Sequence, residues 1–438
     1  KNKRRKNMKI MRVLLCAVLL ISGALAGGLV TNTNQSAAFM RTLNRNASTD
    51  VDAVYFNPAG LTKLCCNGLF IDIANQTIWQ TKTVTNSTAN LNHEGEYVGK
   101  VFAPVFPTAF VAFKMDKLVL SGGFMPIGGG GSAEYEDGLP SFEYTLASLV
   151  GVPAAYFNSA LSSYGNINGY DLDVNFSGSS IYYGFQGGVS YEINDLLSLS
   201  LGGRYVMAKN SYEGHLRDLT LNTTSGGNLT TAILGTALAD VEVEASQSGS
   251  GIAGIIGVNL SPNENLNIGI RYETITKMEL TNDTDKDYNN MFKDDSTFGA
   301  DMPSQLAIGI SYQMDKIKLM SDFNYFGNPG VDWGGAEDNF DNGMEVGLAA
   351  EYALSEKLTV SLGGLYSLQG ATDKSQTDMD YNLDTFTIGG GLLYAVTPKI
   401  KVNLGALNTI YFEGQNATKV EKYNQTTFGF GFGVQVKL

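Results

Sequence analysis

The chain has 438 residues, with 30 Lys and Arg against 43 Asp and Glu and a net charge of −13. That balance excludes nucleic-acid binding, which needs a basic face. The 51 glycines, 22 tyrosines and 22 phenylalanines set against only 10 prolines suit a large antiparallel β-structure. Two histidines and three cysteines form no Cys/His metal spacing, so neither a metal nor a cofactor is expected.

Residues 1–9 are strongly basic, Ile10 to Ile21 are apolar apart from Arg12, and Ala24-Leu25-Ala26 has the form of a cleavage site. Residues 1–26 therefore read as a secretory signal peptide. Beyond it no run of ~18 apolar residues occurs, so no transmembrane helix is expected. Residues 27–67 show no strand alternation. Asn34 to Leu43 suggest one short helix, and Asp50, Asp52 and the Asn57-Pro58 turn break any regular pattern. The adjacent Cys65 and Cys66 bridge each other only with strain and read as free thiols.

From Gly68 onward the pattern alternates with period two, the mark of strands with one apolar face. It is clearest at the end, where Phe428, Phe430, Phe432, Val434, Val436 and Leu438 share one face and Gly429, Gly431, Gly433 and Gln435 the other. Five short turns share one form, an aromatic residue closing one strand before a polar turn and an apolar residue opening the next. They begin at Phe113, Tyr191, Tyr312, Tyr352 and Tyr394, and a sixth begins at Leu260 without the aromatic. Six hairpins and one unpaired strand at each end predict an all-β, antiparallel transmembrane barrel of about 14 strands over residues 68–438. The other connections are long, roughly 85–104, 127–178, 212–249, 281–304, 326–342, 369–383 and 413–425. Short turns at one end and long loops at the other is the sidedness of an outer-membrane barrel, and the aromatic before each turn would form an interfacial girdle.

Parity assigns the faces. Leu197, Leu199, Leu201, Tyr205 and Met207 point out, and Ser198, Ser200 and Arg204 point in. Leu266, Ile268, Ile270, Tyr272, Met278 and Leu280 point out, and Arg271, Glu273, Lys277 and Glu279 point in. Lys318, Asp322, Asn324, Glu345 and Glu351 also fall inside. Arg or Lys on a lipid face would cost ~2–4 kcal/mol each near the midplane, so their common placement supports the assignment. In the longest loop, Phe142, Leu146, Leu149 and Val150 after Pro140, then Tyr156 and Phe157 after Pro153, predict two short amphipathic helices. These either capture an apolar ligand or pack together as a cap. Gly128 to Gly131 read as a flexible run. The only histidines, His93 and His215, lie in or beside long loops with no Gly-x-Ser-x-Gly elbow, so no nucleophile–base pair suggests an enzyme.

One motif remains. Asn46-Ala47-Ser48-Thr49-Asp50 leads into Tyr55-Phe56-Asn57-Pro58-Ala59-Gly60-Leu61. It resembles the signature of the outer-membrane long-chain fatty acid transporter (FadL) family, which includes aromatic-hydrocarbon transporters of the TodX type. The resemblance implies that residues 27–67 are a hatch folded inside the barrel, with Asn57, Pro58, Ala59 and Gly60 in gating. It implies passive uptake of a hydrophobic small molecule across the bacterial outer membrane. The partners would be that ligand, outer-membrane lipid and lipopolysaccharide, and the chain would be a monomer. Arg204, Arg271 and Lys277 are nominated by inward parity to meet a ligand in the lumen, with Glu273 and Glu279 as rival salt-bridge partners. Long-chain fatty acids and aromatic hydrocarbons both stay open as ligands. An open porin is the alternative that would share the barrel without the hatch.

Overall fold

The computed structural model describes residues 29–234, 240–287 and 291–438. The expected leader, 1–26, lies outside the described residues. Fourteen strands form one closed antiparallel barrel: β1 Gly68–Asn86, β2 Glu96–Met115, β3 Leu118–Tyr135, β4 Ile167–Glu192, β5 Leu197–Thr223, β6 Asp240–Asn263, β7 Leu266–Glu273 continued by Glu279–Lys286, β8 Thr297–Gly299 continued by Gln305–Met314, β9 Ile317–Phe326, β10 Gly343–Ala353, β11 Leu358–Leu368, β12 Thr385–Thr397, β13 Ile400–Tyr411 and β14 Glu421–Lys437. Each pairs with its chain neighbour, and β1 pairs with β14 from Phe70–Lys437 to Asn86–Glu421, which closes the wall. Closure leaves no open sheet edge.

The short hairpins fall where the repeated turns predict them, as at Met115/Leu118, Met314/Ile317 and Thr397/Ile400. Phe113, Tyr191, Tyr312, Tyr352 and Tyr394 are all exposed at that end and form a ring there. Above it the outer face is aliphatic and aromatic, with Leu201, Ile252, Leu348 and Leu362 more than 60% exposed. At the other end the strands run further than alternation of apolar residues suggested. β4, β5 and β6 continue through much of the expected 127–178 and 212–249 loops. β5 alone has 27 residues, about 90 Å at ~3.3 Å per residue, against an apolar band of about 25 Å. The extension carries small polar residues such as Ser177 and Ser211, which keep the ladder without an apolar face to signal it.

In the middle of β7 the parity expectation fails. Pairing with β6 passes from Ile255–Glu273 to Gly249–Leu280, six steps along β6 against seven along β7. The extra residue is a bulge that turns the following side chains to the opposite face. Met278 and Leu280 are therefore buried inside, and Lys277 and Glu279 are exposed outside. Arg271 and Glu273, before the bulge, do face inward.

Residues 29–67 fill the bore. The expected helix is shorter than 34–43: α1 is Ala37–Thr42, with Ser36 accepting from Phe39 N at 2.9 Å as the N-cap and Leu43 left-handed as the C-cap. α2, Ala53–Phe56, and a 3₁₀ turn, Pro58–Lys63, follow. α1 lies almost backbone to backbone on the wall. A Cβ at Gly405 would stand 2.8 Å from Arg41 N and 2.9 Å from Ala37 O, and Gly363 and Gly389 face the carbonyls of Thr42 and Met40 in the same way, while Gly347 takes the Asn44 side chain just beyond the helix. The small inward face of these strands is thus the space that α1 occupies.

Candidate functional site

The hatch is held by charge. Arg45 is fully buried and forks onto Asp52, with Nε to Oδ2 at 2.8 Å and Nη2 to Oδ1 at 2.7 Å, and also reaches Asp50 at 3.0 Å and Ser48 Oγ at 2.8 Å. Ser36 Oγ donates to the same Asp52 at 3.0 Å. Two wall carboxylates complete the knot. Asp322 of β9 accepts from Asn46 N at 2.8 Å and from Arg45 N, and Glu351 of β10 pairs with Arg41. Bidentate arginine–carboxylate pairs of this kind are the strong ones. Asp50 sits at the short-turn mouth. Burial would raise it, but Lys401, Arg45 and Lys318 together hold it well below the usual carboxylate range.

The residues singled out in the motif come together at the centre of this plug. Asn57 donates through Nδ2 to Ser48 O at 3.0 Å and to Asn259 Oδ1 of β6 at 2.7 Å. Pro58 O accepts from Ser190 Oγ of β4 at 2.6 Å, and Asn57, Ala59 and Leu61 are completely buried. A Cβ on Gly60 would collide with Asn57 Nδ2 and with Ser48 O. Beside them Tyr55 lies between two arginines, its ring centroid 5.0 Å from Arg204 Cζ and 4.4 Å from Arg271 Cζ. Arg271 also donates to Tyr55 O and to Gln305 Oε1 at 2.8 Å. Arg204 donates to Gln186 Oε1 at 2.7 Å and pairs with Glu273. Both lumen arginines nominated by parity are therefore bound to hatch and wall. Tyr55, Arg45 and Arg41 were missed as functional residues. The signal was present in two arginines inside a segment otherwise poor in charge.

On one side the wall itself is interrupted. β2 and β3 pair from Met115–Leu118 to Ala109–Phe124 and again from Val101–Ala133, with no pairing between. The sequence explains the gap: Pro104, Pro107 and Pro126 carry no N–H to donate. Gly129 and Gly131 take φ of 80° and 100°, the left-handed region that suits glycine. The run 128–131 pairs to β4 through two register shifts. The β3 carbonyls freed by the gap are taken up by the start of the hatch. Asn32 N donates to Ile127 O at 2.7 Å, Asn32 Nδ2 to Gly129 O at 2.8 Å and Gln35 Nε2 to Pro126 O at 2.8 Å. Next to the gap is a cavity of 600 Å³. Its lining includes Trp79, Phe102 and Phe428 from the outer face and Gln80, Val101 and Thr427 from the inner face. The unpaired stretch between β2 and β3, with Asn32 and Gln35 behind it, is the candidate window in the wall.

Above the hatch, toward the long loops, is an aromatic cluster that includes Tyr97, Tyr135, Phe176, Tyr212, Tyr381 and Tyr423. α3, Pro140–Ala147, roofs it. Its Glu143 is buried and accepts from Tyr97 OH at 2.9 Å, Tyr170 OH at 2.7 Å and Asn92 N at 3.1 Å. Asp378, from the loop before β12, accepts from Ser141 N at 2.7 Å. Burial first, then the neighbouring charge of Glu421, push Asp378 up to about 6 against the pull of that N–H. The six loop residues expected to capture a ligand divide. Phe142 packs on Phe176, and Leu146, Leu149 and Val150 pack on the cluster of Tyr170, Leu219 and Leu221, as a cap would. The second amphipathic helix does not form. Ala154–Tyr156 and Ser159–Tyr164 are 3₁₀ turns, and Asn158 restarts the backbone by accepting from Ala160 N. This leaves Tyr156 74% exposed, edge-on to Phe157.

No sequence-family model and no curated protein sequence matches the chain. Solved structures do. A Pseudomonas aeruginosa FadL homologue superposes with a TM-score of 0.65 at 10% identity, over 94% of this chain and 99% of that one. The P. putida toluene transporter TodX gives 0.59 at 14% identity, over 89% and 94%, and the Ralstonia pickettii toluene transporter TbuX gives 0.54 at 17% identity, over the same shares. With the closed fourteen-strand wall, the filled bore and the window already described, the chain has the fold of the FadL and TodX type of barrel.

Proposed function

We propose that the protein carries small hydrophobic molecules across the bacterial outer membrane by passive diffusion gated by its hatch. The interrupted pairing between β2 and β3 carries this reading, because hatch residues Asn32 and Gln35 are bonded to the β3 carbonyls along it and so hold its inner side shut, beside a cavity lined from both faces of the wall. The apolar outer face is the lipid face, the short turns lie in the periplasm and the long loops outside. The ligand enters beneath α3, passes the aromatic cluster and leaves sideways into the membrane. Polar groups are costly to strip of their partners, so the window opens only when the Asn32 and Gln35 contacts are replaced or moved. Ligand binding would favour the opened state by population shift.

The named likenesses, a FadL homologue and toluene transporters, support a hydrophobic ligand and a transporter or channel rather than an enzyme. Between the two ligand types, the neutral hydrocarbon fits better. Arg204 and Arg271 are already spent on Tyr55, Glu273 and Gln305, and Lys277 lies outside. An open porin fits poorly with a bore occupied by residues 29–67. The working unit is a monomer in contact with lipid and lipopolysaccharide. The test is uptake of labelled toluene and labelled oleate by cells making the protein. Substituting Asn57, Pro58 or Ala59 should reduce uptake while the barrel stays folded, and toluene should enter faster than oleate. Wild-type uptake in those variants removes the gating role.

A further inference from the structure

One short piece of chain joins hatch to wall. It is fixed at its start by Lys114 Nζ donating to Leu64 O at 2.7 Å. It is fixed at its end by Asn67, whose side chain exchanges two hydrogen bonds of 2.7 Å with Asp116 in the β2–β3 turn. Between these anchors lie Cys65 and Cys66. Their Sγ atoms are 2.7 Å apart, Cys65 is exposed and Cys66 half-buried. Cys65 opens onto a cavity of 220 Å³ whose lining also includes Asp50, Lys63, Lys399, Lys401 and Lys437. Lys63 pairs with Glu192 and Lys401 with Asp50, and the ammonium groups of Lys399 and Lys437 come in addition, so the pocket is net basic. Such surroundings favour a thiolate and draw anionic reagents. Hydrogen bonding from Cys65 first, and then from Lys437, holds the Cys66 thiol below its ordinary range.

We propose that Cys65 and Cys66 are a redox-active dithiol that exchanges with a small anionic disulfide of the glutathione type. The Cys66 thiolate attacks one sulfur of the carrier, the carrier's S–S bond breaks, and one carrier thiolate leaves. The Cys65 thiol, after losing its proton to solvent, attacks Cys66 Sγ in the mixed disulfide and expels the second carrier thiolate. The two cysteines lose two electrons and two protons, and the carrier becomes two thiols. Neighbouring Cα atoms lie only ~3.8 Å apart, short of the ~4.4–6.8 Å of ordinary disulfides. The ring is therefore strained and easily reopened, as exchangeable disulfides are. It would form on the short segment that joins plug to wall and fix its backbone.

The site rests on the proposed orientation only for the side from which the carrier comes. The chemistry is measured on the purified chain, without transport. The protein is equilibrated in glutathione buffers of varied disulfide-to-thiol ratio, quenched with acid, and digested. Trypsin releases Leu64 to Lys82 as one peptide. This peptide should lose two hydrogens as the ratio rises and regain them as it falls. Cys65→Ser should accumulate one glutathione on Cys66, and Cys66→Ser should react several-fold more slowly, because it lacks the thiol that Lys437 favours as thiolate. A peptide that stays a dithiol at every ratio, takes up two glutathiones, or links two chains overturns the proposal. Failure there leaves the uptake experiment untouched.

Discussion

At Tyr55 two guanidinium groups meet one ring, at 5.0 and 4.4 Å. Each such contact is worth roughly 2 kcal/mol when desolvated, and the ring itself is wholly buried. Tyr55→Ala should therefore destabilise the plug by roughly 3–5 kcal/mol, read as a lower temperature for loss of the compact form on unheated gels. Tyr55→Phe, which keeps the ring and loses only the 3.2 Å bond from its hydroxyl to Asn32 O, should cost about 1 kcal/mol. Arg204→Ala and Arg271→Ala should loosen the plug as a whole, raising background leak for toluene and oleate alike. An effect confined to oleate would return them to the role of ligand contacts.

Asp378 gives the roof a pH dependence of definite sign. Its carboxyl is raised to about 6 in the folded loop, from an ordinary value near ~3.9. The folded state therefore holds the proton more tightly. The linked stability is fully present below ~4 and is lost as pH rises through about 6. Hydrogen exchange in Pro140–Ala147 should be slower at pH 5 than at pH 8 after correction for the intrinsic rate. Asp378→Asn should flatten that difference. A profile that slows with rising pH would contradict the assignment.

Among the elements, β2 and β3 matter most. Replacing Pro104, Pro107 and Pro126 by valine restores three backbone donors and suits a strand. The variant should zip the gap between Val101–Ala133 and Ala109–Phe124, resist heating better and lose most uptake. Unchanged uptake would place the exit elsewhere. The three prolines are in plain view in the sequence, but only Pro104 falls in an expected connection, 85–104, with Pro126 just before the next, 127–178, and the residue pattern does not show that a strand loses its partner on one side while keeping the other. β7 misled in the opposite way. Its alternation breaks at Thr274-Ile275-Thr276, where the apolar residue falls on the other parity, and it was the resumption of clean alternation at Met278 and Leu280 that hid the inserted step sending Lys277 out and Met278 in. Where period two runs clean, as in Leu197–Met207 and Phe428–Gln435, facing was legible residue by residue.

For the whole molecule, the strand count and the sorting of short turns to one end could be read directly, because both follow from the repeated aromatic-turn pattern. The filled bore could be read only through the resemblance of the Tyr55 to Leu61 motif. The charge knot of Arg45, Asp52 and Asp322 depends on long-range closeness that no local spacing encodes. Deleting residues 29–67 should leave the wall able to close, since its pairing does not use them, and should turn small currents in planar bilayers into large steady ones. Equal conductance with and without the segment would mean that the bore is sealed by something else.

The glycines that receive α1 have a bearing on biogenesis. Gly363, Gly389, Gly405 and Gly431 lie on β11 to β14, the last four strands of the barrel, whereas α1 ends at Thr42. This early helix has its resting place among the last segments to arrive. Contacts so distant along the chain form late and slowly. The early segment must therefore wait uncovered until the cylinder closes around it, and the seam between β1 and β14 can be sewn only once the helix is inside.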